Sequence, residues 1–343
     1  MLYISLPEEK NRRLSFYLAM EEYVAREKSW PDAFFMWQVE PSVIFGRNQV
    51  VEAEVNIDYC RTHHIQMYRR KSGGGCVYAD MSNIMFSYIT SEDNVNFTYN
   101  RYINMVVAVL RKLGVKASGS GRNDILIEDT SDESMHAETT STRFRKVSGN
   151  AFYHLPGRSI VHGTMLYDTN MQNMVASITP SNDKLVSKGI HSVRQRIALL
   201  KDYIDLDINA FKSFVRANLC TDEVVLTPAE VAAIESIEKE YLNPQFIFGS
   251  NPQYTVIRKK RMEGVGNLEL RLEVKNNVIR DANLLGDFFL VGDLNLLLER
   301  LKGAELTPES ITKAVPDDVE QIIRHLSKQQ FVGFVCPSPE AAK

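Results

Sequence analysis

The spacing of apolar residues along the chain predicts five helices. Apolar positions three and four residues apart place one hydrophobic face on a helix. The sequence Thr227-Pro228-Ala229-Glu230 adds a capping box with proline at the first helical position. The predicted helices cover residues 11–30, 102–113, 228–241, 294–301 and 319–326. Gly114 and Gly303 follow two of them, where a helix commonly ends at a glycine.

Runs of β-branched and aromatic residues predict strands between these helices. We expect strands at residues 1–6, at 34–44 with a turn at Glu40-Pro41, and at 84–89, 124–127, 145–153, 268–274 and 278–285. Residues 128–142 are rich in Ser, Thr, Asp and Glu and predict a solvated loop. The segment Asn243–Pro252 carries two prolines and predicts a boundary between two domains, residues 1–245 and 253–343.

Length and composition limit the class of protein. A chain of 343 residues can hold two hydrophobic cores, and the second predicted domain is a small α+β unit. A formal net charge of −3 argues against non-specific nucleic-acid binding. No apolar run is long enough to cross a bilayer, so we expect no membrane partner. Four scattered cysteines without a CxxC pair argue against a structural zinc site and favour the reducing cytoplasm.

A glycine-rich segment is the first candidate for a ligand-binding site. It reads Arg69-Arg70-Lys71-Ser72-Gly73-Gly74-Gly75 and is followed by strand-like residues. Glycine allows a ligand to approach the main chain, and consecutive backbone N–H groups can bind an anion. A tight hairpin turn without any ligand produces the same pattern, so the segment alone leaves both interpretations open.

Further polar segments follow the glycine-rich segment in a fixed order. They read Gly121-Arg122-Asn123-Asp124, then Lys146-Val147-Ser148-Gly149, then His162-Gly163-Thr164, then Lys188-Gly189-Ile190-His191. Together with Arg70 to Tyr78 and the approach from Met36 to Gln49, these segments resemble the lipoate-protein ligase family. The resemblance covers about the first two thirds of the chain, and several ordered motifs are more specific than any single one.

The resemblance implies an α/β fold of the class II aminoacyl-tRNA synthetase and biotin ligase type, with a mixed, mainly antiparallel sheet. It implies ATP-dependent activation of lipoate with Mg²⁺, followed by transfer from lipoyl-AMP to a lysine of an acceptor protein. Acceptors in such a family are lipoyl domains of 2-oxoacid dehydrogenase E2 subunits and the glycine-cleavage H protein. The sequence does not distinguish between these acceptors.

The resemblance also assigns residues to each ligand. Lys146 is the expected catalytic residue, although a lysine at a strand start is more often a surface residue. The expected ATP and adenylate contacts are Arg70, Gly75, Cys76, Val77, Tyr78, Asn123, Asp124, Lys146, Gly163 and Thr164. The expected lipoate contacts are Trp37, Arg70, Ser72, Gly73, Gly74, Lys146 and His162. Asp124 is a candidate Mg²⁺ ligand, and an Asx turn is the alternative interpretation of Asn123-Asp124.

Two positions depart from the family pattern and keep alternatives open. Ala79 stands where many members have histidine, so the preference for lipoate or octanoate is not fixed by the motif. Cys76 stands where many members have a small apolar residue, and it is either a packing residue or a nucleophile. The alternatives are therefore an ATP-independent octanoyl or lipoyl transferase that uses Cys76, and a non-catalytic lipoyl-binding module.

Overall fold

One eight-stranded sheet forms the centre of the N-terminal part of the chain. The computed structural model describes residues 1–49, 51–92, 94–121, 123–129, 144–178, 193, 196–248, 256–275 and 277–337. In spatial order the strands are β11 (Asp222–Val225), β1 (Leu2–Ser5), β2 (Asp32–Trp37), β6 (Ile84–Thr90), β10 (Arg158–Met165), β9 (Phe144–Leu155), β8 (Asp124–Glu128) and β7 (Ala117–Gly119). Only the β11–β1 and β1–β2 pairs are parallel.

The alternation of side chains gives this sheet two buried faces. Phe34, Phe86 and Val161 point to one face, where they share a core with helix α4 (Val95–Lys112) and helix α6 (Ile208–Leu219). Phe35 and Trp37 point to the other face, which helix α1 (Leu14–Glu27) and helix α7 (Pro228–Tyr241) cover. A sheet covered on both faces needs strands that are apolar throughout, and all of β6 is buried.

A small sheet carries the glycine-rich segment to the α1 side of the large sheet. Its order is β4 (Gln66–Arg69), β3 (Ser42–Phe45) and β5 (Val77–Ala79), and the glycines lie in the connection between β4 and β5. Several short helices lie next to this sheet. They are α2 (Val51–Glu54), α3 (Ile57–Thr62), α5 (Met171–Ser177) and α8 (Pro244–Phe248). A 3₁₀ turn at Leu200–Asp202 precedes α6.

Residues 256–337, called here the C-terminal unit, have a hydrophobic core of their own. An antiparallel sheet of β12 (Val256–Met262), β13 (Gly266–Lys275) and β14 (Val278–Gly286) packs on three helices. These helices are α9 (Leu294–Leu301), α10 (Pro308–Ala314) and α11 (Lys328–Val335). The structure therefore confirms a mixed α/β fold with a mainly antiparallel large sheet and a small α+β unit. Residues 249–255 lie outside the described residues, so the exact boundary stays a prediction.

The predicted helix at residues 319–326 is wrong. The structure has a 3₁₀ turn at Val319–Gln321, and the chain then turns at His325, whose φ is +63°. Val319, Ile323 and Leu326 are fully buried, so their apolar spacing reflects burial of an irregular segment. The helical interpretation failed because burial alone does not distinguish a helix from a packed turn.

One other boundary differs from the sequence-based prediction. Helix α4 begins at Val95, about two turns before the predicted start at Tyr102, because Asn94 caps it by accepting a hydrogen bond from the Phe97 N–H. The predicted loop at 128–142 lies outside the described residues after Asp129.

Among the helices that the structure does describe, none has both the length and the apolarity that crossing a membrane requires.

The capping box of α7 is a direct test of this part of the fold. The Thr227 hydroxyl accepts from the Glu230 N–H, and the Glu230 carboxylate accepts from the Thr227 N–H at 2.6 Å. We expect Thr227→Ala to reduce the free energy of unfolding by about 1 kcal/mol, as loss of such a cap does. Thr312→Ala, on the exposed surface of α10, is the control and should change it by less than about 0.5 kcal/mol. Urea unfolding measures both, and equal changes would contradict the assignment.

Candidate active site

A row of paired residues crosses five strands of the large sheet on the face covered by α1. The strand register places Trp37, Met85, Thr164, Gly149 and Asp124 side by side, from β2 to β8. The row is apolar at the Trp37 end and polar at the Asp124 end. An elongated ligand with an apolar tail and a charged head fits such a row in one orientation only.

A cavity of about 110 Å³ lies over this row, beneath the glycine-rich segment. Its apolar wall is Leu18, Trp37, Ile44, Val77, Met85 and Ala151. Its polar or small residues are Arg70, Gly74, Gly75, Cys76, Asn123, Lys146, Gly149, Asn150, His162, Gly163 and Thr164. Phe289 of the C-terminal unit completes the lining.

Lys146 brings a positive charge to the polar end of the row. A β-bulge opposite Ile125 and Leu126 re-aims β9 at this point. Lys146 Nζ lies 2.8 Å from Asp124 Oδ1, and its side chain is 36% exposed. A Cβ atom at position 149 would come within 2.7 Å of Lys146 Nζ, so a side chain there would displace the end of the lysine from its described position. The ammonium group is thus held at the cavity while remaining accessible to a ligand.

The buried guanidinium of Arg70 holds the glycine-rich segment in place. It donates to the carbonyl oxygens of Ile44, Gly73 and Gly75 at 2.6–3.1 Å. Burial lowers the pKa of Arg70 to about 10, so the group is still charged at neutral pH. Most of its donors are therefore used within the protein, and Arg70 shapes the segment at least as much as it faces a ligand.

His162 is held from both sides by buried polar groups. Its Nδ1 lies 2.7 Å from Glu21 Oε2, and its Nε2 lies 2.7 Å from Ser72 Oγ. Glu21 also accepts a hydrogen bond from Ser87 Oγ, which in turn accepts from Trp37 Nε1 at 2.8 Å. Both ring nitrogens thus have protein partners. His162 offers the cavity the face and carbon edge of its ring, which suits an apolar tail.

The structure brings most of the predicted site residues to this cavity. Trp37, Arg70, Gly74, Gly75, Cys76, Val77, Asn123, Lys146, His162, Gly163 and Thr164 line it. Four predicted residues lie behind the described lining. Ser72 supports His162, Asp124 pairs with Lys146, Gly73 packs against the Phe288 carbonyl, and Tyr78 lies in the core of the small sheet. The motif at Lys188–His191 lies outside the described residues.

Sequence reasoning missed two residues that the structure places at the site. Glu21 looks like any charged residue of an amphipathic helix, but only 3% of it is exposed because α1 is buried between the sheet and α7. Phe289 lies far along the chain in the C-terminal unit. No local motif marks either residue.

The described residues offer one carboxylate for a divalent cation at the polar end of the cavity. Asp124 supplies it, already in contact with Lys146. Within the described ranges, no group of three or more His, Cys, Asp or Glu side chains is arranged to hold a metal ion. A single carboxylate fits Mg²⁺, which commonly binds one or two carboxylates and the phosphates of a substrate. It does not fit a metal ion whose ligands all come from the protein.

Cys76 is a poor nucleophile in this environment. Burial, and secondarily the nearby carboxylate of Glu54, raise the pKa of the Cys76 thiol far above its ordinary value. The Arg70 guanidinium opposes this shift but does not offset it. Because the thiolate is the reactive form, a thiol that stays protonated at neutral pH is inert. The geometry favours a packing role for Cys76.

The chain matches two family models that together span most of its length. The model of the lipoyl protein ligase A/B catalytic domain matches residues 14–220, and that of the bacterial lipoate protein ligase C-terminus matches residues 251–334. The chain is 31% identical to lipoate-protein ligase LplJ of Bacillus subtilis, over 98% of this chain and 100% of that protein. It is 32% identical to lipoate–protein ligase 1 of Staphylococcus aureus, over 88% and 89%.

Solved structures share the fold at lower identity. A structure of LipL1 from P. falciparum in complex with lipoate has a TM-score of 0.73 at 18% identity, covering 97% of this chain and 96% of that chain. A structure of lipoate-protein ligase A bound with ATP has a TM-score of 0.57 at 24% identity, covering 72% and 98%. At this level of identity these likenesses establish the fold.

Gly163 tests the packing of the polar end of the cavity. A Cβ atom there would lie 1.9 Å from Asn150 Oδ1, so Gly163→Ala must displace the Asn150 side chain. We expect a loss of about 1–3 kcal/mol in the free energy of unfolding, as overpacking costs.

The matched control is Gly333→Ala in helix α11. Position 333 is exposed, and a Cβ atom there meets nothing within 4 Å. This substitution should stabilise the protein by about 0.5–1 kcal/mol, since glycine is unfavourable in a helix interior. Thermal or urea unfolding reports both. A Gly163→Ala protein as stable as the wild type would show that Asn150 does not occupy the described position.

Proposed function

The chain belongs to the lipoate-protein ligase family, and we propose that it activates lipoate with ATP and transfers the lipoyl group to a lysine of an acceptor protein. The observation that carries this proposal is the row of paired residues across the large sheet, which is apolar at one end and charged at the other. Its apolar end at Trp37 and Met85 suits the carbon chain of lipoate, and its charged end at Lys146 suits a carboxylate beside a phosphate.

In the first half-reaction a carboxylate oxygen of lipoate attacks the α-phosphorus of ATP. The bond from that phosphorus to the bridging oxygen breaks, and pyrophosphate leaves. Two anionic reactants must come together, so fixed positive charge at the point of attack lowers the barrier. Lys146 Nζ supplies this charge, and its ion pair with Asp124 holds it in position until the reactants bind. Asn123 and Thr164 add hydrogen-bonding groups to the same end of the cavity.

Asp124 is the residue that would hold Mg²⁺ together with the phosphates of ATP. The ion would neutralise charge on the departing pyrophosphate. Because the same carboxylate pairs with Lys146, Asp124 places the ammonium group next to the position where Mg²⁺ would bind.

In the second half-reaction an acceptor lysine attacks the acyl carbon of lipoyl-AMP. An amide bond forms, AMP leaves, and the amine loses a proton. The lipoyl domains of 2-oxoacid dehydrogenase E2 subunits and the glycine-cleavage H protein are the acceptors that the family resemblance suggests. One solved relative with the same fold is described as a bi-partite lipoate protein ligase and its E2 lipoyl domain.

The surroundings of Cys76 weigh against the alternative of an ATP-independent acyltransferase. Such an enzyme needs a thiolate, and although this half-buried thiol lines the cavity, loss of solvent around it raises its pKa. A non-catalytic lipoyl-binding module would also place a cation beside the carboxylate, but it would not activate the acid, so lipoate-dependent release of pyrophosphate distinguishes it from an enzyme.

Pyrophosphate release tests the role of Lys146. With ATP, Mg²⁺ and lipoate but no acceptor, we expect release from the wild type that requires lipoate. In Lys146→Ala the rate should fall by about 10²–10³-fold, the usual cost of removing a charge-stabilising donor.

Lys302→Ala is the matched control for that experiment. Its side chain is also 36% exposed and forms an ion pair at 3.0 Å, with Asp281 in the C-terminal unit. This variant should release pyrophosphate like the wild type. A Lys146→Ala rate within threefold of the control would contradict the proposed role, and no lipoate-dependent release from the wild type would contradict the proposed function.

Cys76→Ala separates the ligase from the acyltransferase. If the protein is a ligase, the variant should lipoylate an acceptor domain at a rate within about threefold of the wild type, because the substitution removes one half-buried sulfur atom that takes no part in the reaction. Complete loss of ATP-dependent lipoylation, in a variant that keeps its thermal stability, would favour a thioester at Cys76 instead. Mass spectrometry of the acceptor domain measures the rate.

A further inference from the structure

The turn that follows β14 in the C-terminal unit reaches into the glycine-rich segment. The Gly74 N–H donates to the Phe288 carbonyl at 3.0 Å, and the Gly286 N–H donates to the Asn48 carbonyl at 2.8 Å. A Cβ atom at position 73 would lie 2.6 Å from the Phe288 carbonyl oxygen. Contact with the C-terminal unit therefore leaves no space for a side chain at position 73.

Phe289 is the residue of this turn that enters the cavity lining. It is 7% exposed, and its ring lies 3.1 Å from the position that a Cβ of residue 74 would take. The Gly74 backbone has a φ of +88°, a conformation that favours glycine. The ring thus packs against a residue without a side chain, which lets it reach the cavity beside Arg70 and Gly75.

The C-terminal unit holds Phe289 firmly from behind. The Phe289 carbonyl accepts from the Arg324 N–H at 3.0 Å, and Leu290 forms an isolated β-bridge with Ile323. A Cβ atom at position 292 would lie 2.3 Å from the Gln321 carbonyl oxygen, so the turn packs closely on that segment. The irregular segment at 319–326 therefore serves as the support for Phe289.

We propose that Phe289 is a wall of the lipoate site, through which the C-terminal unit positions the acyl chain for activation. This inference rests on the proposed function and names a residue that the family motifs do not contain. The other walls of the cavity come from the sheets, α1 and the glycine-rich segment, and Phe289 closes the side that faces the C-terminal unit. Without the ring, a bound acyl chain loses an apolar contact over its length and gains space there.

Substrate selectivity of the Phe289→Ala variant tests this role in the full-length protein. Pyrophosphate release is measured with lipoate, with octanoate, and with octanoates carrying one methyl branch at C2 through C6. We expect the KM for lipoate and octanoate to rise about tenfold while kcat changes less than threefold, because the lost contact acts on binding. For at least one branched octanoate, kcat/KM relative to octanoate should rise fivefold or more over the wild-type ratio, because its branch fills the new space.

Leu296→Ala and Phe289→Leu complete the experiment. Leu296 is 62% exposed in the same unit and should show wild-type constants and selectivity. Phe289→Leu, which restores part of the apolar wall, should give an intermediate KM. A purely structural role would reduce activity with every acid in proportion and leave the ratios unchanged, so unchanged ratios in both Phe289 variants would overturn the inference. If the wild type itself released no lipoate-dependent pyrophosphate, the proposed function would fail before this inference was reached.

Discussion

The buried guanidinium of Arg70 is the interaction on which the rest of the site depends. It donates hydrogen bonds to carbonyl oxygens of β3 and of the glycine-rich segment, and so holds that segment over the face of the large sheet. A planar group with five donors suits this task, because it satisfies several buried carbonyls at once. The folded segment then presents glycines to two partners, the cavity on one side and the turn around Phe289 on the other.

Beneath this segment, strand register aligns most of the residues of the site. Trp37, Met85 and Thr164 come from three strands, yet pairing aligns them in one row that ends at the Lys146–Asp124 ion pair. The row sets a direction for a bound acid, tail toward the tryptophan and carboxylate toward the lysine. A buried hydrogen-bond network runs from Trp37 through Ser87, Glu21 and His162 to Ser72 and holds the side walls of the cavity in place.

The sequence was sufficient where the signal was local. The capping box at Thr227, the alternation in β13 and the stripe of α9 all appear as predicted, and the ordered motifs brought Lys146, Arg70 and Gly163 to one cavity. It was insufficient where burial comes from tertiary packing. Glu21 and Phe289 reach the site only because α1 is enclosed and because the C-terminal unit docks on the glycine-rich segment. The apolar spacing at 319–326 was misread for the same reason, since a packed turn buries the same residues as a helix.

Native mass spectrometry of the protein incubated with ATP, Mg²⁺ and lipoate tests the central claim most directly. The account predicts a complex whose added mass equals non-covalent lipoyl-AMP, and which disappears when a lipoyl-domain acceptor is added and gains one lipoyl group. Lipoyl-AMP retained at the site would show that activation precedes transfer and that the graded cavity holds the intermediate. A covalent lipoyl adduct on the protein, or unchanged ATP and lipoate with no adenylate, would contradict the account.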